Sequence, residues 1–456
     1  MSLFFITTVP GFPTNHELAV QLFLQLAVIL AIGRLAGILF KYLGQTQVVS
    51  EMIAGVLLGP SFLGFIAPNV QTFLFPISVT LNIDGAATPI PHPSMTILYA
   101  LSQIGLVLYM FLIGLQFNFN ILNRHLKEAS VLSLLGVLSP FILGGLLGLF
   151  VADDSRLFTA NIATWQAALF MSAAMLITAF PMLARIIYES GFAGTKIGTL
   201  TLSAAAFDDA IAWIMLAIVV ASAKNSLSIA IITIGGGILY AGIMIFLGRP
   251  AFRLFKRVSK KDQRMGMDTL SLLLFVLVLC AWFTDAVGIY SIFGAFIAGV
   301  VMPRGNFVDE VSSVVERLNV TLFLPVFFVY SGLNTQIGLI NNPSLIGITI
   351  VTIIVAFLCK GGACFFASRI SGGSLIEASM IGGLMNARGL MELILVNIGL
   401  ENNIISPALF TILVLMAVAT TFVASPLFKF LYKLEQDNRL KNRDSEQIYA
   451  LNQPKL

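Results

Sequence analysis

Residues 203–213 read Ser203-Ala-Ala-Ala-Phe-Asp-Asp-Ala-Ile-Ala-Trp213, and Asp208 and Asp209 are the only charged side chains between Ile197 and Ala221. A helix over that apolar stretch is about 37 Å long, enough to cross a bilayer core of about 30 Å. Its midpoint falls at Asp209. Even one carboxylate at the membrane centre costs about 2.5–3.5 kcal/mol on insertion scales. Stability gives no reason for two, so the pair reads as an ion site. The competing reading is a loop in which an Asp caps a helix N-terminus. That would leave only about ten apolar residues on either side, too few to span.

The rest of the chain agrees with a membrane setting. Its 456 residues are 58% hydrophobic and only 11% charged, with a mean hydropathy of +0.94. A soluble fold of this size carries about twice as much charge, near 25%. The expectation is an all-α polytopic membrane protein. Cys280, Cys359 and Cys364 lie in apolar stretches and read as small core residues. His16, His92 and His125 have no metal-ligand spacing. No P-loop or Ser/His/Asp array is present, so neither an enzyme nor a cofactor is expected. The net charge of +4 is not a nucleic-acid signal, because its distribution has a topological explanation. Met1–Asn15 has no Lys or Arg and so lacks the basic start of a signal peptide.

Thirteen hydrophobic segments are predicted: Glu17–Phe40, Val48–Ile66, Ile97–Phe117, Ala129–Val151, Trp165–Tyr188, Ile197–Ala221, Leu227–Gly248, Thr269–Ala286, Ile289–Met302, Val320–Leu333, Leu345–Ser368, Leu375–Leu400 and Ile405–Leu431. With that count, 22 of the 26 Lys and Arg fall on one side of the membrane. Only Arg156 and Lys224 fall on the other, and Lys360 and Arg388 lie inside spans. The positive-inside rule then puts residues 1–16 outside and the tail, 434–456, in the cytoplasm. The basic loop Arg249–Arg264 reads as a topology signal, with lipid binding as an alternative. The stretch Ala67–Thr96 reads as an extracellular excursion.

The chain also echoes itself. Ile53-Ala-Gly-Val56 recurs as Ile297-Ala-Gly-Val300, and Phe111-Leu-Ile-Gly-Leu115 resembles Phe328-Val-Tyr-Ser-Gly-Leu333. Spans one to six would then match eight to thirteen as an inverted repeat, with span seven (227–248) as linker. Helix breakers stand at corresponding places: Pro181 in Leu176-Ile-Thr-Ala-Phe-Pro-Met182, and Gly382-Gly-Leu-Met-Asn-Ala-Arg-Gly-Leu390. Interrupted helices in matching positions point to a transporter site. A Pro kink and ordinary Gly packing are the plainer alternatives.

Further charges fall inside the spans. Lys360, in Phe357-Leu-Cys-Lys-Gly-Gly362, needs a carboxylate partner to stay charged in hydrocarbon, and Asp208 or Asp209 is the candidate. Arg388 and Glu392 have the four-residue spacing of a same-face pair and read as holding the broken helix. Glu51 and Glu377 read as interfacial. Burial, mutual repulsion and a bound cation would make the two aspartates titrate as a coupled set, able to hold either a proton or a small hard cation. Alternating exposure of such a site exchanges the two without nucleotide hydrolysis.

The pieces Ala54-Gly-Val-Leu-Leu-Gly-Pro-Ser61, Phe111-Leu-Ile-Gly-Leu115, Thr178-Ala-Phe-Pro181, Phe207-Asp-Asp209, Lys360 and Asn386-Ala-Arg-Gly-Leu-Met-Glu392 together resemble the monovalent cation:proton antiporters. The branch is that of NapA-type exchangers, KefC-type effluxers and plant cation/proton exchangers, and the similarity covers residues 17–433. The resemblance implies a NapA/NhaA-like inverted repeat with two crossed discontinuous helices, assembled as a homodimer. A scaffold (about 17–117 and 269–333) would carry a core (about 129–221 and 345–431) that slides like an elevator. It implies that Asp209 is the principal cation and proton carrier, that Asp208 pairs with Lys360, and that Thr178 helps coordinate the ion. The Asp-Asp pair resembles the electrogenic subgroup, which carries two protons per sodium ion. Only a short tail follows the last span, so no KefC-type nucleotide domain is expected. The implied activity is Na⁺(Li⁺)/H⁺ antiport, with Na⁺ held by Asp209 and Asp208, in a bacterial-type inner or internal membrane. The alternatives are K⁺/H⁺ exchange, cation-coupled symport of an organic anion, and a gated channel.

Overall fold

A computed structural model describes residues 13–451, apart from residues 46, 77, 84–85, 117–125, 190–191, 193–194, 224–226, 253–265, 289 and 304–305. The described chain is almost entirely helical, as the sequence predicts. It opens with α1 (Asn15–Lys41), α2 (Gln47–Leu58), the short α3 (Leu63–Ile66) and α4 (Pro68–Leu74), a β-hairpin of β1 (Ser78–Ile83) and β2 (Ala86–Pro91), and α5 (Pro93–Gln116). It continues through α6 (Leu126–Val151), α7 (Thr164–Leu176), α8 (Phe180–Glu189), α9 (Lys196–Ala223), α10 (Leu227–Ile243), α11 (Met267–Ala286), α12 (Ser291–Val301) and α13 (Asn306–Leu318). Last come α14 (Leu324–Leu333), α15 (Pro343–Phe357), α16 (Ala363–Ile370), α17 (Leu375–Leu384), α18 (Leu390–Glu401) and α19 (Pro407–Leu451).

Among the described residues, ten helices are long and apolar enough to cross a membrane, against thirteen predicted spans. The other three predicted spans are the fifth, ninth and twelfth. The ninth is the 11-residue α12. The fifth and twelfth are each divided into two short helices, α7 with α8 and α17 with α18. These are the two stretches in which the sequence placed helix breakers.

The chain divides into two compact units. The first comprises Met1–Leu39, Ser50–Phe117 and Val220–Ile340. Its apolar centre gathers Ile29, Leu58, Phe75, Leu98, Val326, Val329 and Leu333. The polar excursion of this unit is more ordered than the sequence suggests. The strands pair antiparallel from Ser78 opposite Pro91 to Ile83 opposite Ala86. The alternation Val79, Leu81, Ile83 is the signal that a composition reading passes over.

The second unit comprises Phe40–Val49, Asn118–Val219 and Asn341–Leu456. Here α6 lies along α7, and Ser172 Oγ donates to the Phe141 carbonyl at 2.7 Å. The α7 helix stops at Leu176, because Ile177 turns extended (φ −67°, ψ 128°). Pro181 then falls in the first turn of α8, where its missing N–H breaks no intrahelical bond. Helix α17 starts with a reciprocal cap: Glu377 N donates to Ser374 Oγ at 3.1 Å, and Ser374 N donates to Glu377 Oε2 at 3.0 Å. That capping box accounts for Glu377. The α17 helix ends at Leu384, and α18 resumes at Leu390. The two breaks touch, since Ala179 N donates to the Ala387 carbonyl at 3.0 Å. The tail continues α19 as helix to Leu451. His125 and residues 253–264 of the predicted basic loop lie outside the described residues.

Candidate functional site

All the candidate residues lie in the second unit. Asp208 and Asp209 stand near the middle of the 28-residue α9, and neighbours on a helix point about 100° apart. Asp208 is fully buried and its two oxygens are taken. Ser133 Oγ, from α6, donates to Oδ1 at 2.6 Å. Lys360 Nζ donates to Oδ2 at 2.6 Å. Thr178 Oγ1, in the first helix break, lies 3.2 Å from the same Oδ2 and 3.4 Å from the Met385 carbonyl of the second break. Its single hydroxyl proton can serve either oxygen.

Asp209 is placed differently. Its carboxylate takes a backbone hydrogen bond from Phe180, the first residue of half-helix α8. Free amides and the positive dipole end gather there and favour an anion. Its Oδ1 is buried and meets no hydrogen-bond partner among the described residues. One aspartate is therefore fully bonded, while the other keeps an open oxygen inside the protein.

Lys360 sits in a widened, π-type turn, Leu358–Gly362, between α15 and α16. Such turns are rare and often lie at functional sites. Both Lys360 and Asp208 have side chains with no solvent exposure. The ammonium also donates to the Leu176 carbonyl at 2.7 Å, the last residue of α7. Two approaches make room for it. A Cβ at Gly136 on α6 would lie 2.8 Å from Cys364 Sγ and 3.8 Å from Lys360 Nζ. A Cβ at Gly382 on α17 would lie 2.5 Å from the Gly361 carbonyl. Glycine at these positions lets α6 and α17 close on the lysine turn.

Arg388, in the second break, is also fully buried. Its NH1 donates to the Ala174 carbonyl at 2.9 Å, and its NH2 to Met175 at 2.7 Å and to Ala356 at 3.4 Å. Lys360 and Arg388 thus share three successive carbonyls at the C-terminal end of α7, where a half-helix presents unsatisfied acceptors and a negative dipole. Glu392, one turn along α18, has Oε2 at 3.6 Å from Arg388 NH1.

The structure brings Asp208, Thr178 and Lys360 into direct contact, sets Asp209 beside them, and pairs Arg388 with Glu392. Ser133 was missed by the sequence reading. It is one uncharged hydroxyl in an apolar helix, where serines ordinarily bond their own backbone, so composition gave no signal. The chemistry available is a buried oxygen cluster with a fixed cation beside it. It can hold a proton or a small hard cation, whose preferred ligands are oxygens.

A family model described as "Sodium/hydrogen exchanger, transmembrane" matches residues 27–434. The Na(+)/H(+) antiporter NhaS4 of Synechocystis sp. is 38% identical over 414 residues, covering 90% of this chain and 96% of that protein. Cation/H(+) antiporter 17 of Arabidopsis thaliana is 34% identical over 97% of this chain and 52% of its own length. K(+)/H(+) antiporter 1 of Saccharomyces cerevisiae is 31% identical over 94% of this chain and 48% of its own length. The chain thus spans about half of the plant and yeast relatives. The sodium proton antiporter MjNhaP1 of Methanocaldococcus jannaschii shares the fold, with a TM-score of 0.62 at 16% identity, over 90% of this chain and 96% of that one.

Proposed function

Because the chain belongs to the sodium/hydrogen exchanger family, a family of multi-pass integral membrane proteins, we propose that it exchanges Na⁺ or Li⁺ for protons at the α9 aspartates. The observation that carries this reading is the contrast between the two acids. Asp208 has three donors, while Asp209 Oδ1 has none among the described residues. Asp209 is the carrier: its open oxygen takes a proton or a cation in turn. Asp208, held by Lys360, Ser133 and Thr178, is the fixed charge that keeps the site attractive to cations. Thr178 offers its hydroxyl oxygen to the ion when its proton points to Met385.

The cycle is electrogenic, two protons against one cation, so the membrane potential contributes about 2.3 kcal/mol per net charge per 100 mV. The chain crosses the membrane thirteen times as an inverted repeat, with the N-terminus outside. It works as a homodimer, the aspartate-bearing core moving against its scaffold. The relative named for Na(+)/H(+) exchange supports the sodium reading. The yeast relative, named for K(+)/H(+) exchange, supports K⁺/H⁺ exchange as the second reading.

Purified protein in acid-loaded proteoliposomes tests this. Adding Na⁺ or Li⁺ dequenches an internal pH dye in wild type, and Asp209→Asn abolishes the response. K⁺ alone driving the dye selects the second reading. No response to any of the three ions rejects both, and full turnover in Asp209→Asn rejects the site.

A further inference from the structure

The electrogenic cycle needs a place for a second proton, and Asp208 is poorly suited to it. Both of its oxygens already accept hydrogen bonds, two of them at 2.6 Å. Lys360 is no better, because losing a proton would loosen it from Asp208 and from the Leu176 carbonyl together. The second unit buries one more acid among the described residues, Glu392.

Glu392 has no solvent exposure, and neither of its oxygens meets a hydrogen-bond partner among the described residues. Its neighbour Arg388 lies beside it without hydrogen-bonding it. The guanidinium spends its NH1 and NH2 donors on the Ala174, Met175 and Ala356 carbonyls. The 3.6 Å separation from Glu392 is an ion pair without a hydrogen bond. The hydrogen bonds of the Arg388 guanidinium therefore go to the end of half-helix α7 and to α15, and the glutamate receives only the nearby charge. A buried carboxylate with no donor bears an uncompensated desolvation cost while it is ionised. Thr352 lies one turn before Ala356 on α15, and its hydroxyl is likewise buried and without a partner among the described residues. A structural ion pair would show the opposite pattern, with arginine donors pointed at glutamate oxygens.

We propose, resting on the antiport reading above, that Glu392 carries the second proton of the exchange cycle. In the proton-loaded form an O–H bond forms at Glu392, the proton coming from water. In the cation-loaded form that bond breaks, and the proton returns to water on the side that faces the site. Few charges surround it. The helices packed on α18 are α19 and α7, and both are apolar there: α7 has no titratable residue from Thr164 to Leu176, and α19 has none from Pro407 to Phe428. Helix α15 has none from Pro343 to Phe357. Among the described residues, the charged group paired with Glu392 is Arg388, on its own segment.

The test counts protons released per cation bound, using purified protein in weak buffer with a pH dye. Wild type releases about two and Glu392→Gln about one, so the apparent cation affinity of the variant varies by about tenfold less per pH unit. Glu392→Asp keeps a carboxyl and restores the second proton. Equal release from wild type and Glu392→Gln overturns the proposal, and so does loss of the second proton in Lys360→Gln instead. Should Glu392→Gln not fold, infrared difference spectra of wild-type protein with isotope-labelled glutamate decide. A protonated glutamic acid band that disappears on adding Na⁺ supports the proposal, and no glutamate change overturns it. Proton movement in wild-type proteoliposomes tests the antiport reading separately. Its absence rejects both, while exchange with an unchanged proton count rejects only the role of Glu392.

Discussion

Removing one member of the Asp208–Lys360 pair should destabilise the protein far more than removing both. Lys360→Met deletes an ammonium that holds two acceptors, at 2.6 and 2.7 Å, with no solvent exposure on either charged side chain. Asp208 keeps Ser133 and Thr178 but loses its counter-charge, and the Leu176 carbonyl is orphaned. Asp208→Asn leaves the lysine charge buried against neutral oxygens. Each single change should cost about 3–5 kcal/mol, the usual price of an uncompensated buried charge. The double variant has no unpaired charge, and replacing a whole buried pair is often close to neutral. The singles should therefore sum to about 3 kcal/mol or more above the double. Denaturant unfolding of the purified protein, followed by circular dichroism in one detergent, measures all four corners. Additivity within about 0.5 kcal/mol would mean that the two charges do not depend on each other, and the pairing argument would fail.

Ser133→Ala should cost about 1.5–3 kcal/mol, the range for a hydrogen bond to a charged group, and Ser133→Thr should recover most of it; thermal unfolding reads both. Gly382→Ala forces a Cβ to 2.5 Å from the Gly361 carbonyl, so overpacking should cost about 1–3 kcal/mol, while Gly347→Ala, with open space around it, should cost far less in the same assay. Outside the spans, the Arg156 guanidinium bonded to Asp154 at 2.6 Å holds that carboxyl below its ordinary range. Its small stabilising contribution is present at neutral pH and is lost as pH falls through the lowered value. Asp154→Asn should flatten that part of the stability–pH curve without changing turnover, and an unchanged acid limb would refute the pairing.

Charge in an apolar sequence made much of this legible. Asp208, Asp209 and Lys360 stood out because hydrocarbon tolerates few charges, so each one in a span calls for a partner. The breaks were legible from Pro181 and from the Gly382–Gly389 cluster, although the first falls at Ile177–Ala179, before the proline. Ser133 was not legible, since a hydroxyl costs too little in a helix to demand explanation. The tie from Arg388 to α7 was hidden for another reason. The four-residue spacing to Glu392 suggests a local pair, whereas the guanidinium bonds carbonyls more than two hundred positions earlier in the chain. Spacing reports which residues share a face, and it is silent on which of several acceptors a long side chain reaches.

The arrangement of fixed charges also says where voltage acts in the proposed cycle. Lys360 and Arg388 are anchored on α7, and Asp208 is anchored on Lys360, so these three give the core one net positive charge at every stage. Asp209 and Glu392 are the variable acids. With both ionised and one Na⁺ bound, the core is neutral. With both protonated and no cation, it carries one positive charge. Only the proton-loaded core therefore moves charge across the membrane. A potential of 100 mV biases that step by about 2.3 kcal/mol, nearly fiftyfold in equilibrium terms, and leaves the cation-loaded step untouched. In Glu392→Gln the fixed charges are the same, but the glutamine is neutral throughout. The cation-loaded core then carries one positive charge, the proton-loaded core carries the same, and net exchange becomes electroneutral. The Na⁺ gradient reached at the end of exchange, measured with and without a valinomycin-clamped potential, separates these cases. Potential should drive the wild type and leave the variant unaffected. A variant that responds to voltage as wild type does would show that the second proton travels on another group.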